Sequence, residues 1–336
     1  MSDIITLKEE EIRSAVDMDY NREVLYYKDL SLFLEKFKQN FRSVDCVSCQ
    51  SNNHNTLSEK DGFTFRKCNE CETVFISPRP DPKALQWWYS RSEHVNHFTG
   101  IFEKTADKRM LIYKDRLEKM RSRMSGPIQS VLEIGCGPCV FLGLMKEIWR
   151  EPKITGIDIN PEAVRLAKEK GIHCLKFSAE EFAQKKDSEY YDLIIAFEML
   201  EHVYDPFSLI KAVLKLLEKD GKIYMTLPNY LSYDFLQIGD VYRNLFGPTH
   251  LNYYNPFSIM KLLERGGYSG IEIFCDGVLD TAIVGNYHSE KKMKLEGFWK
   301  YIYDNKDKNS SFLIDYQKLL QKHTLSGNMT VVARRP

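Results

Sequence analysis

The sequence has no excess of charge of either sign. Lys and Arg together number 47, and Asp and Glu together also number 47. A strong net positive charge is what draws a protein nonspecifically to nucleic acid or to anionic lipid. The composition therefore argues against both as general partners, and we expect a small-molecule partner instead. It indicates no particular oligomeric state.

Long apolar runs are also missing. No stretch approaches the roughly 20 apolar residues that a membrane-spanning helix needs. The opening residues, MSDIITLKEEEIRSAV, have neither the basic start nor the apolar centre of a secretory signal. We therefore expect no membrane span and a cytoplasmic location, where the eight cysteines would normally be reduced. Clustered cysteines then become candidates for metal ligands rather than for disulfides.

The chain is long enough for a catalytic domain and a smaller one, since 43% of its 336 residues are hydrophobic. We predict a helical segment over 1–44, a cysteine-containing module over 45–90, a helical connection over 91–126 and a catalytic domain over 127–336. Inside the catalytic domain we expect a tyrosine-rich lid at 230–254 and a lysine-rich helical insertion at 286–323.

Strands and helices alternate after the break at Gly126-Pro127. Short apolar strands are predicted at about 130–134, 153–159, 173–177, 191–197 and 221–227, with helices at about 140–149, 161–170, 180–186 and 206–219. Apolar strands separated by helices indicate a parallel sheet covered on both faces. The fold class is therefore α/β.

Two cysteine pairs, Cys46-x-x-Cys49 and Cys68-x-x-Cys71, have the spacing of a structural zinc site. Each pair can direct both sulfurs to one Zn²⁺, and four thiolates leave no open position for water or substrate, which argues against a catalytic zinc. His54, between the pairs, is an alternative ligand or a solvated loop residue. A module this small folds with free energy supplied by the metal.

The other four cysteines, Cys136, Cys139, Cys174 and Cys275, are interpreted as small buried residues. Cys136-x-x-Cys139 also has the spacing of a redox pair.

A glycine turn follows the first apolar strand of the catalytic domain. Gly135 and Gly137 would let the backbone approach a ligand at the carboxyl end of the sheet, and Asp158 closes the next strand at the distance of a ribose-binding acid. A dinucleotide fingerprint requires Gly or Ala where Val140 stands. S-adenosylmethionine has no pyrophosphate and needs only the open turn and the acid.

Residues 129–229 resemble the class I S-adenosylmethionine-dependent methyltransferases, which have an E-x-G-x-G loop, an acidic end to the second strand and an E-x-L-E-H element. The resemblance implies a Rossmann-like sheet of seven strands. It implies cofactor contacts from Glu133, Gly135 and Gly137 on the methionine side, from Asp158 at the ribose, and from Ser178, Ala179 and Glu180 beside the adenine, with Ile159 as a further cofactor-binding residue. The family often has Gly at Cys139 and Asp at Ser178.

The E-x-L-E-H element here runs from Glu198 to His202 and resembles that of methyltransferases acting on quinones, sugars and small-RNA ends. His202 is a candidate general base. His250, after the fifth strand, is a second candidate catalytic residue, and we expect the two on opposite sides of the acceptor. In the small-RNA branch the equivalent residues bind a divalent ion, so Glu198, His202 and His250 are also candidates for a second metal site, with Glu198 otherwise near the methionine end.

The segment from Cys68 to Pro80 and the H-L-N-Y-Y element at His250 resemble family members assigned to polysaccharide or secondary-metabolite sugar pathways, so the resemblance covers about 45–275. It implies O-methylation of a nucleotide-linked or glycan sugar, which the aromatic residues of the lid could contact. The alternatives are C-methylation of a keto-deoxysugar, an inactive binding protein with this fold, and RNA binding through Lys60, Arg66 and Lys67 of the zinc module.

Overall fold

The computed structural model describes residues 20–97, 106–124, 126–150, 152–185, 190–242 and 244–336. Residues 1–19 of the predicted N-terminal segment and part of the predicted connection lie outside these ranges. Across the described ranges, no helix is both long enough and apolar enough to cross a membrane.

Helices and strands alternate through most of the chain. The helices are α1 (Tyr20–Phe37), α2 (Pro82–Arg91), α3 (Ala106–Arg123), α4 (Val140–Trp149), α5 (Pro161–Glu169), α6 (Ala179–Ala183), α7 (Pro206–Leu216), α8 (Tyr233–Ile238), α9 (Pro256–Gly266), α10 (Asp280–Ser289), α11 (Gly297–Asp304) and α12 (Ser310–Lys322). The strands are β1 (His54–Lys60), β2 (Phe63–Cys68), β3 (Val74–Ile76), β4 (Ser130–Ile134), β5 (Lys153–Asp158), β6 (Cys174–Lys176), β7 (Tyr191–Phe197), β8 (Leu217–Pro228), β9 (Asn252–Tyr253), β10 (Ser269–Cys275) and β11 (Asn328–Arg334). Short 3₁₀ turns occupy Lys38–Asn40, Leu200–His202 and Gly239–Val241.

The large sheet has seven strands in the order β10-β11-β8-β7-β4-β5-β6. Strands β6, β5, β4, β7 and β8 are parallel, while β11 runs antiparallel to both β8 and β10. This confirms the predicted α/β fold with a seven-stranded sheet. The strand order reverses between β4 and β7, and open sheets bind ligands at such a switch point, outside the carboxyl ends of the strands.

The strand and helix predictions depart from the structure in two places. The fifth strand, expected from residue 221, begins at Leu217, because Leu217 pairs with Tyr191 before the chain makes a short excursion and resumes pairing at Lys222. The predicted insertion at 286–323 is three helices, α10 to α12, with breaks between them.

Four helices begin with the same local device, an Asp or Asn followed by Pro. The cap side chains of Asp81, Asn160, Asp205 and Asn255 each accept a hydrogen bond from a backbone N–H in the first turn. Such caps stabilise a helix start by about 1 kcal/mol, and Pro suits the first helical position. Two of these helices, α5 and α7, begin shortly after Asp158 and His202 of the predicted site. Their capped first turns therefore fix where the chain leaves the site.

The cysteine module shares a sheet with the catalytic chain. Its strands β1, β2 and β3 are joined by β9, which follows β8 in the sequence, and Val74 pairs with Tyr253 across the junction. The module is therefore not the separate unit that its composition suggests. Its place is fixed by long-range pairing that no local sequence pattern reports.

Arg79 is fully buried at this junction. Its guanidinium donates hydrogen bonds to the Tyr204 carbonyl at 2.9 Å and to Asn252 Oδ1 at 2.9 Å. Further bonds reach the carbonyls of Ile76 and Leu251. A single side chain of the module thus connects the loop after His202 with strand β9.

The four cysteines of the module come together as the sequence predicts. Their sulfurs all lie within 4.8 Å of one another, with Cys46 Sγ 3.4 Å from Cys71 Sγ and Cys49 Sγ 3.5 Å from Cys68 Sγ. Zn–S bonds of about 2.3 Å in a tetrahedron place sulfurs roughly 3.8 Å apart, so the thiols fit Zn²⁺. His54 lies outside the group, with its ring against the edge of Phe75.

We predict that purified protein contains about one zinc per chain, because four thiolates saturate a tetrahedral ion. Cys68→Ser should lower the zinc content and the melting temperature more than it changes cofactor affinity, whereas Cys275→Ser, a buried cysteine outside the group, should keep the zinc. Metal analysis by mass spectrometry with thermal denaturation checks both. Zinc-free protein obtained without chelator would contradict the assignment.

Candidate active site

One pocket opens at the switch point of the large sheet, with a volume of about 2570 Å³. Every residue predicted to bind the cofactor or to act in catalysis lines it: Glu133, Gly135, Gly137, Asp158, Ile159, Ser178, Ala179, Glu198, His202 and His250. The structure therefore brings together residues that span more than a hundred positions of the chain.

The glycine turn after β4 forms the floor of the pocket. Gly135 and Gly137 have φ angles of +67° and +52°, which favour glycine. A side chain at Gly135 would place its Cβ 3.1 Å from the Met199 side chain, while Gly137 faces open space. The N–H of Gly135 donates to the Ile157 carbonyl at 2.9 Å, so the turn is held against β5. The turn leaves room for a ligand to approach the backbone closely.

Glu133 lies buried under this turn, and one of its carboxylate oxygens has no hydrogen-bond partner among the described residues. Burial, together with the nearby Asp158, raises the pKa of Glu133 well above its usual value. A buried acceptor without a partner calls for a donor or a cation from a ligand. S-adenosylmethionine carries an ammonium and a sulfonium group, so this carboxylate fits its methionine end.

Asp158, at the end of β5, accepts hydrogen bonds from the backbone N–H groups of Gly137 and Asn160, both at 2.8 Å. Burial raises its pKa despite these bonds. Ile159 beside it is 61% exposed on the pocket wall, a position suited to an adenine face. The Ser178 hydroxyl caps α6 by accepting from the Glu181 N–H, and Ala179 is buried behind it. The serine that replaces the family's aspartate is thus already engaged with its own helix.

Glu198 follows β7 with a φ of +47°. Its Oε1 accepts from Arg116 at 3.0 Å, from Thr226 at 2.8 Å and from Asn328 at 2.8 Å. These three partners come from α3, β8 and the start of β11, and sequence reasoning missed all of them. Arg116 also lies over the Phe197 ring, 5.0 Å from its centroid, within a helix whose pattern carries no functional signal.

His202 and His250 lie side by side, with ring centroids 4.8 Å apart. The expectation that they flank the acceptor from opposite sides is wrong, because the chain between β8 and β9 folds back over the 3₁₀ turn at Leu200–His202. His202 Nδ1 lies 2.8 Å from the Thr249 carbonyl, and His250 Nδ1 lies 3.1 Å from the Asn244 carbonyl. A carbonyl only accepts, so each Nδ1 carries the proton.

The Nε2 atom of His202 is consequently the basic nitrogen of its ring. Burial lowers the pKa of His202 below its ordinary 6.5, with the Thr249 carbonyl acting in the opposite direction. The imidazole is therefore neutral near pH 7, which is the protonation state that a general base requires.

Glu201 is the carboxylate that accompanies the two histidines. Its Oε1 lies 3.7 Å from His202 Nε2. One carboxylate oxygen of Glu201 and one ring nitrogen each of His202 and His250 lie within 4.8 Å of one another. Its Oε2 is buried and finds no partner within the part of the chain that the structure describes. Burial and then the charge of Glu198 raise its pKa well above the usual value. The predicted metal set Glu198, His202 and His250 is corrected accordingly, since Glu198 is held by Arg116, Thr226 and Asn328.

Residues of helices α1 and α2 complete the wall around His202. Tyr89 Oη donates to the Thr249 carbonyl at 3.3 Å, and Trp88 Nε1 donates to Thr249 Oγ1 at 3.2 Å. Tyr26 Oη donates to the Gly247 carbonyl at 2.7 Å. The N-terminal part of the chain thus holds the segment that carries His250.

The aromatic residues of the predicted lid divide between two roles. Tyr242 and Phe246 line the pocket. Four others are buried in the core between the module and the helices α10 to α12, namely Tyr230, Tyr233, Phe235 and Tyr253, and Tyr254 is buried in the core of the large sheet. Most of the lid is therefore packing core rather than ligand surface.

Comparison with known families shows to which family the chain belongs. Residues 101–273, just over half of the chain, match the model of a family described as "Methyltransferase domain". The chain belongs to this methyltransferase family. The prediction of an S-adenosylmethionine-dependent methyltransferase is confirmed.

The methyltransferase is similar to two curated proteins named "Ubiquinone biosynthesis O-methyltransferase". That of Nitrosospira multiformis is 32% identical over 167 residues, which are 47% of this chain and 64% of that protein. That of Saccharophagus degradans is 33% identical over 182 residues, 52% of this chain and 71% of that protein. A solved structure of a SAM-dependent methyltransferase from Archaeoglobus fulgidus has a TM-score of 0.47 at 22% identity, covering 70% of this chain and 99% of that one.

We predict that S-adenosylhomocysteine binds the methyltransferase and that Asp158→Ala weakens this binding by roughly 1.5 to 3 kcal/mol, the contribution of hydrogen bonds to a charged acceptor. Titration calorimetry measures the loss. Glu169→Gln, at an exposed acid of α5, is the matched control and should bind normally. Binding of NADH in place of S-adenosylhomocysteine would refute the cofactor assignment.

Proposed function

We propose that the methyltransferase transfers the methyl group of S-adenosylmethionine to a hydroxyl oxygen of a small polar acceptor, a nucleotide-linked or glycan sugar. The observation that carries the proposal is the 2.8 Å contact between His202 Nδ1 and the Thr249 carbonyl, which leaves Nε2 as a base inside the pocket. Oxygen as the methylated atom is further supported by the names of the curated relatives.

The residues divide the work along the pocket. S-adenosylmethionine, when bound, supplies a methyl group already activated on a sulfonium. Glu133 with Gly135 and Gly137 holds the methionine end, and Asp158 with Ile159, Ser178 and Ala179 holds the nucleoside end. His202 Nε2 takes the proton of the acceptor hydroxyl, and Glu201 Oε1 lies 3.7 Å from this nitrogen. Alignment of the acceptor within this wall supplies the remaining rate acceleration.

A polar acceptor is supported by the polar residues of the pocket lining. Asn244 lies in this lining and its side-chain amide donates to the Tyr242 hydroxyl, which also lines the pocket. A phenolic acceptor is the second candidate, favoured by the ubiquinone pathway named for the relatives. Incubation with S-adenosylmethionine and a panel of nucleotide sugars and dihydroxyphenols, read by mass spectrometry, tests both. Transfer to a phenol alone would refute the sugar.

The other two alternatives differ in measurable ways. C-methylation of a keto-deoxysugar would add the methyl to carbon next to a ketone, which the fragmentation of the product reveals. RNA binding would need the cations of the module, but Lys60 donates to the Asp240 and Tyr242 carbonyls, Arg66 to the Ser77 carbonyl, and Lys67 pairs with Glu72. These engagements favour the small-molecule acceptor.

A second divalent metal remains part of the proposal at Glu201, His202 and His250. Each imidazole has its Nδ1 on a backbone carbonyl, the arrangement that orients histidine ligands. A carboxylate and two imidazoles suit Zn²⁺ or Fe²⁺ better than Mg²⁺. These three residues would then hold the metal, which would supply a Lewis acid for the acceptor hydroxyl in place of direct proton removal by His202.

His202→Ala should lower turnover roughly 10²- to 10⁴-fold, because proton transfer is lost while the cofactor contacts remain. Calorimetry with S-adenosylhomocysteine should show nearly unchanged affinity. His323→Ala, at an exposed position after α12, should behave as wild type.

Treatment with a chelator distinguishes a metal-dependent mechanism from proton removal by His202 alone. If the metal acts, mild chelation reproduces the His202→Ala defect and added Zn²⁺ reverses it, while the zinc of the four-cysteine site stays bound. Wild-type turnover in a His202→Ala, His250→Ala double variant would refute both roles.

The pH dependence follows from the burial of His202. Its pKa is lowered below 6.5, so the neutral base should persist at mildly acid pH and kcat/KM should fall only as the pH drops through a value below 6.5. A steady-state profile from pH 5 to 9 checks this. A half-maximum above 7 that His202→Ala leaves in place would assign the proton transfer to another group.

A further inference from the structure

Three cysteines meet directly beneath the cofactor loop. The sulfurs of Cys136, Cys139 and Cys174 all lie within 4.8 Å of one another, and Cys136 Sγ is 3.5 Å from Cys174 Sγ. All three side chains are buried. The redox-like spacing of Cys136 and Cys139 stands out in the sequence, yet the proposed methyl transfer uses none of these thiols.

Gly156 provides the space that the sulfurs occupy. A side chain there would place its Cβ 2.7 Å from Cys136 Sγ and 2.8 Å from Cys139 Sγ. Gly156 also pairs with Cys174 across strands β5 and β6. The three sulfurs thus pack over a backbone position that has no side chain of its own.

Only one of the three cysteines reaches the cofactor pocket. Cys136 lies in its lining, between Gly135 and Gly137, whereas Cys139 and Cys174 lie behind it. Hydrogen bonds from Cys136 and then Cys139 lower the pKa of Cys174, and Lys168 and His173 act in the same direction. A cysteine accessible from the pocket and backed by a second sulfur with thiolate character is the arrangement of a redox-sensitive pair.

A disulfide suits these surroundings better than a metal ion does. The cluster packs among apolar side chains such as Leu142 and Ile195. Hydrogen bonds to Cys139 and Cys174, burial and the nearby Glu133 carboxyl together raise the pKa of Cys136. Three thiolates around a metal would keep net negative charge in this apolar region, which is costly, whereas a disulfide is uncharged.

We propose that Cys136 and Cys174 form a reversible disulfide that weakens cofactor binding, an effect that rests on the proposed cofactor site. The Cys136 thiol passes its proton to the Cys174 thiolate, whose sulfur lies 3.5 Å away, and attacks one sulfur of a small disulfide such as glutathione disulfide, forming a mixed disulfide and releasing one glutathione thiolate. The Cys174 sulfur then attacks Cys136 and releases the second glutathione, which takes up the displaced proton. Two thiols lose two electrons in total, and one disulfide is reduced to two thiols.

The new bond would displace the cofactor loop. An S–S bond is about 2.05 Å long, so the two sulfurs must approach each other by roughly 1.5 Å. Cys136 precedes Gly137, whose N–H donates to Asp158 at 2.8 Å, and movement of the loop disturbs that contact. Because coupling between two equilibria is reciprocal, bound cofactor should in turn protect the thiols.

The test uses the full-length, zinc-loaded protein treated with glutathione disulfide, with and without saturating S-adenosylhomocysteine. After tryptic digestion, mass spectrometry should find the peptide 171–176, which contains Cys174, joined to the peptide 124–146, which contains Cys136 and Cys139. The joined pair should persist in Cys139→Ser and disappear in Cys136→Ser. Calorimetry should show about a tenfold loss of S-adenosylhomocysteine affinity that dithiothreitol reverses, and saturating S-adenosylhomocysteine should lower the equilibrium constant of disulfide formation in a glutathione redox buffer by the same factor.

Two variants and a zinc assay give the controls. Cys174→Ser should keep its affinity after oxidation, while Cys275→Ser should remain sensitive. An internal Cys136–Cys139 disulfide, no joined peptides, or an affinity loss that follows zinc release would each overturn the proposal. The joined peptides, and their protection by S-adenosylhomocysteine, are measured in the wild-type protein, so this part of the test does not depend on whether a variant folds. Joined peptides in a protein that binds no S-adenosylhomocysteine would refute the cofactor assignment and leave the disulfide standing.

Discussion

The buried guanidinium of Arg79 is the interaction on which the arrangement of this enzyme depends. A charge removed from water must be compensated by hydrogen bonds from its surroundings, and Arg79 finds them on the carbonyls of Ile76, Tyr204 and Leu251 and on the side chain of Asn252. Burial lowers its pKa only to about 10, so it stays charged at neutral pH. Its partners belong to three stretches of chain, which must therefore keep their relative positions.

This constraint reaches the reactive end of the pocket through backbone atoms. Both imidazoles are oriented by carbonyls, His202 by that of Thr249 and His250 by that of Asn244. The segment that carries those carbonyls is held from one side by β9 in the module's sheet and from the other by Tyr26, Trp88 and Tyr89. The orientation of the proposed base thus depends on residues that are distant from it in the sequence and contact no cofactor.

What the sequence predicts well is what short-range chemistry determines. Strand β4 and strand β7 follow from apolar runs that end at a glycine turn and at an acidic element, and the parallel sheet brings Gly135, Asp158 and Glu198 to one edge. Contacts between remote segments have no such local signal. The pairing of Val74 with Tyr253 and the bond from Arg116 to Glu198 join residues whose own neighbourhoods look ordinary. The left-handed backbone at Glu198 turns its carboxylate toward β11, and Glu201 takes the place beside the histidines.

The shared sheet also bears on how such an enzyme can be recombined with its relatives. A hybrid gene that exchanged only residues 45–90 would bring in a foreign β3 edge and a foreign partner for Asn252, while keeping the old β9. The inherited unit is therefore discontinuous, and the module would have to be exchanged together with the stretch around 245–255. Substitutions in the module should accordingly occur together with compensating substitutions in the segment around 245–255. An insertion in the module, for example, should be accompanied by a change in this segment, which carries His250.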